Sequence, residues 1–344
     1  MSATDGRGAV YQKIGSRRKR RNRWRKLASR YMGYLFGRIA LAILSQLPLG
    51  LGLALSRVGG HIVYFVSRRD RLIAYDNLRN VYGHEWSEQQ LKQCIVETFQ
   101  HNIATLVEAL ILARWSNEQL MAKYPEAIAG VLQLERKTRE SENGLLLLTG
   151  HYGNWEMIPF LAHRFANSFV VSIAQKLYFP KYQELLHRFR TREGMEVIYS
   201  DESPRRLMRA MRNGKCVGLL PDRTVRTNRG IFVDFFGRPV YTTTLPIRLA
   251  RKIGAQVQLI SLVREPESLL STRQHRFRVD LPPLLELEHT GNEERDLRND
   301  TQKFTWLIEE AIRNNPSQWS WSYPRWRAVP GRPRLPHGAR SPCA

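Results

Sequence analysis

The stretch from residue 144 to about residue 285 alternates between short apolar runs and amphipathic segments. The apolar runs predict buried strands, and the amphipathic segments predict helices. Strands separated by helices favour a mostly parallel sheet with helices on both faces, so the predicted fold class is α/β. The strand predictions are 144–149, 169–174, 196–199, 216–220, 256–263 and 275–281, and the helix predictions between them are 182–193, 204–212 and 246–253.

The segments on either side of this region are predicted to be helical. Residues 72–140 follow a helical pattern, and within them Ser87 is suited to cap a helix, with Gln90 completing a capping box. This helix is expected to run past Phe99 towards Ala113. A further helix is predicted over residues 296–314.

The net charge of the chain is +23, which requires an anionic partner. The charge is densest in residues 17–26, and such a basic block is typical of a tail that seeks anionic surfaces. Nucleic acid, anionic phospholipid and phosphorylated glycolipid all meet the requirement. The cysteines, Cys94, Cys216 and Cys343, are scattered and lack metal-ligand spacing, which predicts reduced thiols in a cytoplasmic compartment.

Residues 39–55 contain no charged side chain, and their length is at the lower limit for a membrane span. Pro48 interrupts this stretch, and Gly50 and Gly52 weaken it as a helix. Cations flank it on both sides and give no clear orientation. A kinked or re-entrant helix lying partly in one leaflet, a true span and a buried core helix all stay open.

His151 and Glu156 directly follow the predicted strand 144–149. A histidine at the exit of a buried strand occupies the position where open α/β sheets place their chemistry. If the chain bends into a helix after the histidine, the carboxylate five residues later can return to the imidazole. The pair would then form a general base in which Glu156 orients His151. The alternative is a buried histidine and a solvated glutamate in the first turn of a helix.

This strand with its His-x4-Glu pattern resembles the signature of the glycerolipid acyltransferase superfamily, and in particular its branch of late acyltransferases of lipid A biosynthesis. The resemblance covers about residues 30–330 and rests on four further blocks that occur in the family's order. They are Asn77-Leu78, Leu-Pro-Asp-Arg at 220–223, Phe-Val-Asp-Phe-Phe-Gly-Arg-Pro at 232–239 followed by threonines at 242–244, and Gln-Trp-Ser-Trp-Ser-Tyr-Pro-Arg-Trp-Arg at 318–327.

The resemblance implies an O-acyltransferase with a glycerolipid acyltransferase-like fold, in which helices flank the parallel sheet and an N-terminal helical segment associates with the membrane. Its reaction moves a fatty acyl chain from a thioester to a lipid hydroxyl. His151 is then the general base and Glu156 fixes its tautomer. The backbone amides of Gly150 and Gly153 are oxyanion-hole candidates, because glycine permits close approach. No metal or cofactor is expected, since acyl carrier protein, or coenzyme A, brings the acyl chain as a co-substrate.

The resemblance also places Asp222 in the active site, and we group it with the substrate-binding residues. Lys176, Arg325 and Arg327 are the cations expected to bind phosphates of the acceptor. The chain departs from the family at Gln175, where an arginine is common, and at Tyr323, where a histidine is common. The aromatic block 232–239 is expected either to shape the substrate pocket or to belong to the core.

These observations predict a membrane-associated acyltransferase of the bacterial inner membrane, with its catalytic domain on the cytoplasmic side and a lipid A precursor as acceptor. Acyl carrier protein and anionic membrane lipid are the expected partners, and no nucleic acid is expected. The predicted division is a basic, disordered N-terminus (1–30), a membrane-associating segment (31–71), a catalytic domain (72–327) and a disordered tail (328–344).

Two alternatives stay open. The first is an acyltransferase of the same fold that acts on a lysophospholipid, an aminolipid or another glycolipid, which the departures at Gln175 and Tyr323 favour. The second is a non-catalytic protein that binds nucleic acid or a membrane surface, which the charge favours.

Overall fold

The computed structural model describes residues 31–166, 170–174, 180–192, 195–199, 204–224, 230–265 and 275–326. The strands in these residues are β1 (Leu145–Leu148), β2 (Val170–Ala174), β3 (Glu196–Tyr199), β4 (Cys216–Leu219), β5 (Gly230–Phe235), β6 (Arg238–Thr243), β7 (Gln256–Leu259), β8 (Ser261–Arg264) and β9 (Phe277–Asp280). Five of them form a parallel sheet in the order β3-β2-β4-β1-β7. The prediction of an α/β fold with a mostly parallel sheet is confirmed.

Helices cover both faces of this sheet. They are α1 (Tyr31–Leu44), α2 (Leu49–Val66), α3 (Arg68–Tyr82), α4 (Glu88–Leu112), α5 (Asn117–Lys123), α6 (Pro125–Glu140), α7 (Met157–Phe165), α8 (Pro180–Arg192), α9 (Pro204–Arg212), α10 (Leu245–Ile253) and α11 (Glu293–Asn314). The capping box is confirmed, since the Ser87 side chain accepts from the Gln90 amide and the Gln90 side chain accepts from the Ser87 amide. The helices predicted from sequence are confirmed, with small shifts at their ends.

All four leucines of β1 are buried, because helices cover the sheet on both sides. Leu146 and Leu148 belong to a core shared with α10 and α11. Leu145 and Leu147 belong to a second core shared with α6 and α7. The central strand is therefore apolar throughout instead of alternating, and its carboxyl end lies between two well-packed layers.

Two parts of the strand pattern differ from the sequence prediction. The block 232–239 forms an antiparallel hairpin of β5 and β6, whose turn holds Phe236 and Gly237 at φ values of 57° and 68°. The run 256–263 divides into β7, which belongs to the sheet, and β8, which pairs with β9 in an antiparallel ladder. Gly237 lies in the turn of the hairpin and Ser261 begins β8, but these residues alone do not reveal which strands pair.

Pro48 separates α1 from α2, as the sequence indicated. Helix α2 is long and apolar enough to cross a membrane by length and composition. The predicted boundary between residues 71 and 72 falls inside α3. The predicted disordered segments 1–30 and 328–344 lie outside the described residues.

Candidate active site

His151 and Asp222 follow two neighbouring strands of the parallel sheet. Strands β1 and β4 pair in register with Leu148 opposite Leu219, and each of the two polar residues lies three positions beyond its strand's end. The register therefore brings them together at the carboxyl edge of the sheet, where open α/β folds place their chemistry.

The Asp222 carboxylate holds His151 through two hydrogen bonds. The Nδ1 atom of the ring lies 2.7 Å from Oδ1, and the His151 backbone amide donates to Oδ2 over 2.7 Å. Burial by itself would raise the pKa of the Asp222 carboxyl, but attraction by the His151 ring and hydrogen bonds from His151 and Trp319 hold it below its ordinary value. An ionised carboxylate at Nδ1 leaves Nε2 as the nitrogen that can accept a proton.

The segment that follows α11 completes the surroundings of the pair. The indole Nε1 of Trp319 donates to Oδ2 of Asp222 over 2.9 Å, and the Ser320 amide donates to the His151 carbonyl over 3.1 Å. The Trp155 ring meets the imidazole edge-to-face at 5.3 Å. Trp319 is 1% exposed, and the His151 side chain is 16% exposed, so the imidazole stays partly accessible while its support is buried.

In this structure the Glu156 carboxylate, expected to orient His151, has Arg190 as its partner. Glu156 directly precedes α7, and its carboxylate is bound by the guanidinium of Arg190 on α8, with the Nε atom 3.2 Å from Oε2. Asp222 takes the orienting place instead, because the neighbouring strand ends beside His151 whereas the start of α7 directs Glu156 towards α8. Arg190 was not anticipated from sequence, and nothing in its spacing marks it.

The two glycines proposed for the oxyanion hole differ in their hydrogen bonding. The Gly153 amide donates to the Gln318 carbonyl over 3.1 Å, so it is engaged and does not fit the role. Gly153 has a φ of 63°, and a Cβ there would lie 2.2 Å from the Leu262 carbonyl oxygen. The glycine is therefore required by a close backbone approach. Gly150 keeps its place as a candidate.

The phosphate-binding role expected for Arg325 does not fit its position. This side chain is 1% exposed, donates to the Tyr241 carbonyl and the Thr242 hydroxyl over 3.3 and 2.7 Å, and lies over the Phe235 ring. Burial lowers its pKa to about 10, against attraction by Asp222. Arg325 is thus a buried cation behind the site. The other predicted phosphate ligands, Lys176 and Arg327, lie outside the described residues.

The sequence blocks that are far apart in the chain meet around Asp222. The Asn77 side chain donates to the carbonyls of Trp321 and Tyr323 over 2.7 and 2.8 Å. The Tyr323 hydroxyl donates to the Thr224 carbonyl over 3.1 Å. These contacts join α3, the residues after β4 and the residues after α11 into one support for the histidine.

The aromatic block 232–239 belongs mainly to this support. Phe235 is 1% and Phe236 7% exposed, and the ring of Phe235 contacts those of Trp319 and Trp326. The block was expected either to shape the substrate pocket or to belong to the core, and these two residues belong to the core.

A parallel α/β sheet with a histidine–aspartate pair at its carboxyl edge is an arrangement typical of enzymes that use histidine as a base. The sequence profile described as bacterial lipid A biosynthesis acyltransferase matches residues 19–328. The chain is also 22% identical over 299 residues to a lipid A biosynthesis acyltransferase of Haemophilus influenzae (strain ATCC 51907 / DSM 11121 / KW20 / Rd), covering 87% of this chain and 88% of that protein. This chain belongs to the family of bacterial lipid A biosynthesis acyltransferases.

Proposed function

We propose that this protein transfers a fatty acyl chain from the thioester of acyl carrier protein, or of coenzyme A, to a hydroxyl group of a lipid A precursor. The observation that carries the proposal is the His151–Asp222 pair at the carboxyl edge of the sheet, in a chain that matches the family over most of its length. No metal or other cofactor takes part in the proposed reaction.

In the proposed reaction, His151 acts as general base through Nε2. As this nitrogen takes the proton of the acceptor hydroxyl, the hydroxyl oxygen attacks the thioester carbonyl and a tetrahedral oxyanion forms. The oxyanion then collapses, the carbon–sulfur bond breaks, and the imidazolium returns the proton to the leaving thiolate. Asp222 holds the ring by Nδ1 and stabilises the imidazolium charge. The Gly150 amide is the proposed oxyanion donor.

The experiment offers purified protein in mixed micelles either acyl carrier protein or coenzyme A thioesters, with a lipid A precursor or a lysophospholipid as acceptor. Mass spectrometry of the lipid products identifies the transferred chain. We expect one added acyl chain on the lipid A precursor and none with His151→Ala. Acylation of the lysophospholipid alone would favour the alternative acceptor, for which Tyr323, in place of the family's histidine, is the motivating departure.

We also propose that the surface formed by α1 and the outer face of α2 rests on an anionic bilayer. The outer face of α2 exposes apolar side chains spaced three or four residues apart, namely Leu51, Leu55, Val58, Ile62 and Phe65. Helix α1 adds Tyr31, Met32, Leu35, Phe36, Ile39 and Ile43. Exposed arginines at 57, 68 and 69 lie within or next to this surface and favour anionic lipid.

The inner face of α2 supports a position along one leaflet in preference to a span. Its small residues lie directly against α4: a Cβ on Gly60 would come within 2.7 Å of the Gln100 amide nitrogen, and one on Gly52 within 2.5 Å of the Ile111 side chain. A helix held this closely to the catalytic domain cannot leave it to cross the bilayer without opening that contact. In-plane contact uses the apolar outer face and keeps the inner packing.

Vesicle flotation tests this surface, with phosphatidylcholine alone or mixed with phosphatidylglycerol. We expect Ile62→Glu to reduce binding to the mixed vesicles. Met121→Glu is the matched control, because Met121 lies on α5 and is 55% exposed, against 57% for Ile62. Equal binding of the two variants would argue against the proposed surface. The proposed location is the cytoplasmic face of the inner membrane, where thioester donors are available.

A further inference from the structure

Helix α4 carries a buried polar stripe that the proposed reaction does not use. His101, Thr105 and Glu108 are 7%, 3% and 0% exposed and are spaced four and three residues apart, so they share one face of the helix. Burying an ionisable group costs free energy unless it is paired. Replacing a buried ion pair by apolar side chains of similar volume often causes no loss of stability. The stripe therefore calls for a reason other than core packing.

Glu108 is the centre of a fully buried network. Its Oε1 lies 2.8 Å from Nε of Arg264 and 2.9 Å from Nε2 of His275, and its Oε2 lies 2.7 Å from Nη2 of Arg264 and 2.6 Å from Nδ2 of Asn154. Burial by itself would raise the pKa of Glu108, but attraction by Arg264 and hydrogen bonds from His275 and Arg264 lower it to about 2. Glu108 and Arg264 thus form an ion pair of fixed charge.

This ion pair reaches the loop that carries His151. Nη1 of Arg264 donates to the Gly153 carbonyl over 3.2 Å, and the Thr105 hydroxyl lies 3.3 Å from the same oxygen and 3.0 Å from the His101 carbonyl. The Asn154 side chain donates to Glu108, and the Asn154 backbone amide donates to the Leu262 carbonyl over 2.7 Å. The residues two and three positions after the histidine are therefore tied to α4 and β8.

Arg264 also positions the segment on the opposite side of the loop. Its amide donates to Oε1 of Gln318 over 3.0 Å, and its carbonyl accepts from Nε2 of Gln318 over 2.7 Å. The Gln318 carbonyl in turn accepts from the Gly153 amide, and Ser320 bonds the His151 carbonyl. One arginine thus contacts the Gly153 peptide by its side chain and the Gln318 side chain by its backbone.

We infer that Arg264, held by Glu108, is a positioning residue that sets the place of the His151–Gly153 peptides and so directs His151 towards the substrate. The inference rests on the proposed role of His151 as base. A misplacement of a catalytic group by about 1 Å lowers turnover by roughly 10²-fold, so loosening this support reduces kcat without touching substrate.

The test compares Arg264→Lys with Arg251→Lys in the acyl transfer assay. A lysine at 264 keeps the charge but cannot reproduce the planar fork that bonds Glu108, Thr105 and Gly153 together. Arg251 is the matched control, because it bonds buried Asp300 on α11 and the Glu288 carbonyl and has no bond to the loop 151–154 among the described residues. Both variants damage an ion pair, so we expect both proteins to lose stability. A melting curve on each variant measures this loss.

We expect Arg264→Lys to lower kcat by about tenfold or more with the KM for the acyl donor changed by less than about twofold, and Arg251→Lys to keep kcat within about twofold of wild type. Thr105→Val, which leaves the ion pair in place, should lower kcat in the same direction and by less. If Arg264→Lys does not fold, Thr105→Val tests the positioning role in its place.

His151→Ala, measured beside them, separates the two hypotheses. If His151→Ala is inactive while Arg264→Lys or Thr105→Val turns over like Arg251→Lys, the positioning role is refuted and the proposed function stands. If His151→Ala keeps its turnover, the base assignment fails, and the positioning role fails with it.

Discussion

Replacing Asp222 by asparagine removes the group that this structure assigns to orienting the base, while Glu156→Gln removes the carboxylate that the sequence pattern assigned to it. Both changes turn a carboxylate into an amide of the same shape. The structure predicts that Asp222→Asn is the more damaging for acyl transfer, because Asp222, and not Glu156, lies 2.7 Å from Nδ1 of His151.

The magnitude follows from charge and from hydrogen-bond direction. Two opposite unit charges about 4 Å apart attract by about 4 kcal/mol at an effective dielectric of about 20, and each 1.4 kcal/mol is about a factor of ten in rate. In addition, the His151 and Trp319 donors both bond Oδ2 of Asp222, so the asparagine oxygen satisfies them best and its NH₂ then faces Nδ1. That NH₂ favours the tautomer with the proton on Nε2. Nε2 is then already protonated and cannot take the proton of the acceptor hydroxyl. We expect kcat/KM to fall by roughly 10²–10⁴-fold.

The assay is acyl transfer to a lipid acceptor under steady-state conditions, with a melting curve on each preparation. Glu156→Gln weakens the contact with Arg190 and should cost roughly tenfold or less. The reverse order, with Glu156→Gln as inactive as His151→Ala and Asp222→Asn near normal, would refute the reasoning. It would mean that the histidine exchanges its partner during turnover.

Three further predictions follow from buried or membrane-facing groups. Arg325→Ala should lower the melting temperature by roughly 5–10 °C and reduce the use of donor and acceptor together, because it removes a buried cation; a raised acceptor KM with unchanged stability contradicts this. Deleting residues 1–47 should release part of the protein from membranes and leave its fold intact, whereas deleting residues 1–56 also cuts α2 and should destabilise it; fractionation and melting curves compare the two. Because folding lowers the pKa of Glu108, this carboxylate adds stability that is complete above its unfolded pKa and is lost as pH falls towards about 2. The free energy of unfolding, measured by denaturant titration at pH 6 and at pH 3, should therefore change less for Glu108→Gln than for wild type. An equal change in the two proteins counts against the buried ion pair.

Much of the fold follows from periodicity and capping. The four leucines of β1 and the amphipathic pattern of α9 depend on local spacing, and so does the capping box at Ser87. The departure of β8 from the sheet to pair with β9 depends instead on which distant segments meet, whereas the β5–β6 hairpin is a local pairing around Gly237. An apolar run alone does not determine its partner.

The site divides in the same way. His151 and Asp222 can both be located at strand ends from the sequence, but only the strand order places β4 beside β1 and so pairs them. Glu156 was assigned by its short separation from His151, and the direction of α7 overrides that separation. The cluster of arginines and tryptophans around Arg325 predicts a phosphate ligand, but the β5–β6 hairpin, which the sequence analysis does not predict, encloses the side chain.

Lipid A from cells that lack this gene tests the central claim most directly. The gene is restored on a plasmid as wild type, His151→Ala or Arg251→Lys, and the lipid A of each strain is analysed by mass spectrometry. The account predicts that the deletion strain lacks one acyl chain, that wild type and Arg251→Lys restore it, and that His151→Ala, present in the membrane at the same level, does not. Lipid A of unchanged mass in the deletion strain, or full restoration by His151→Ala, would contradict it.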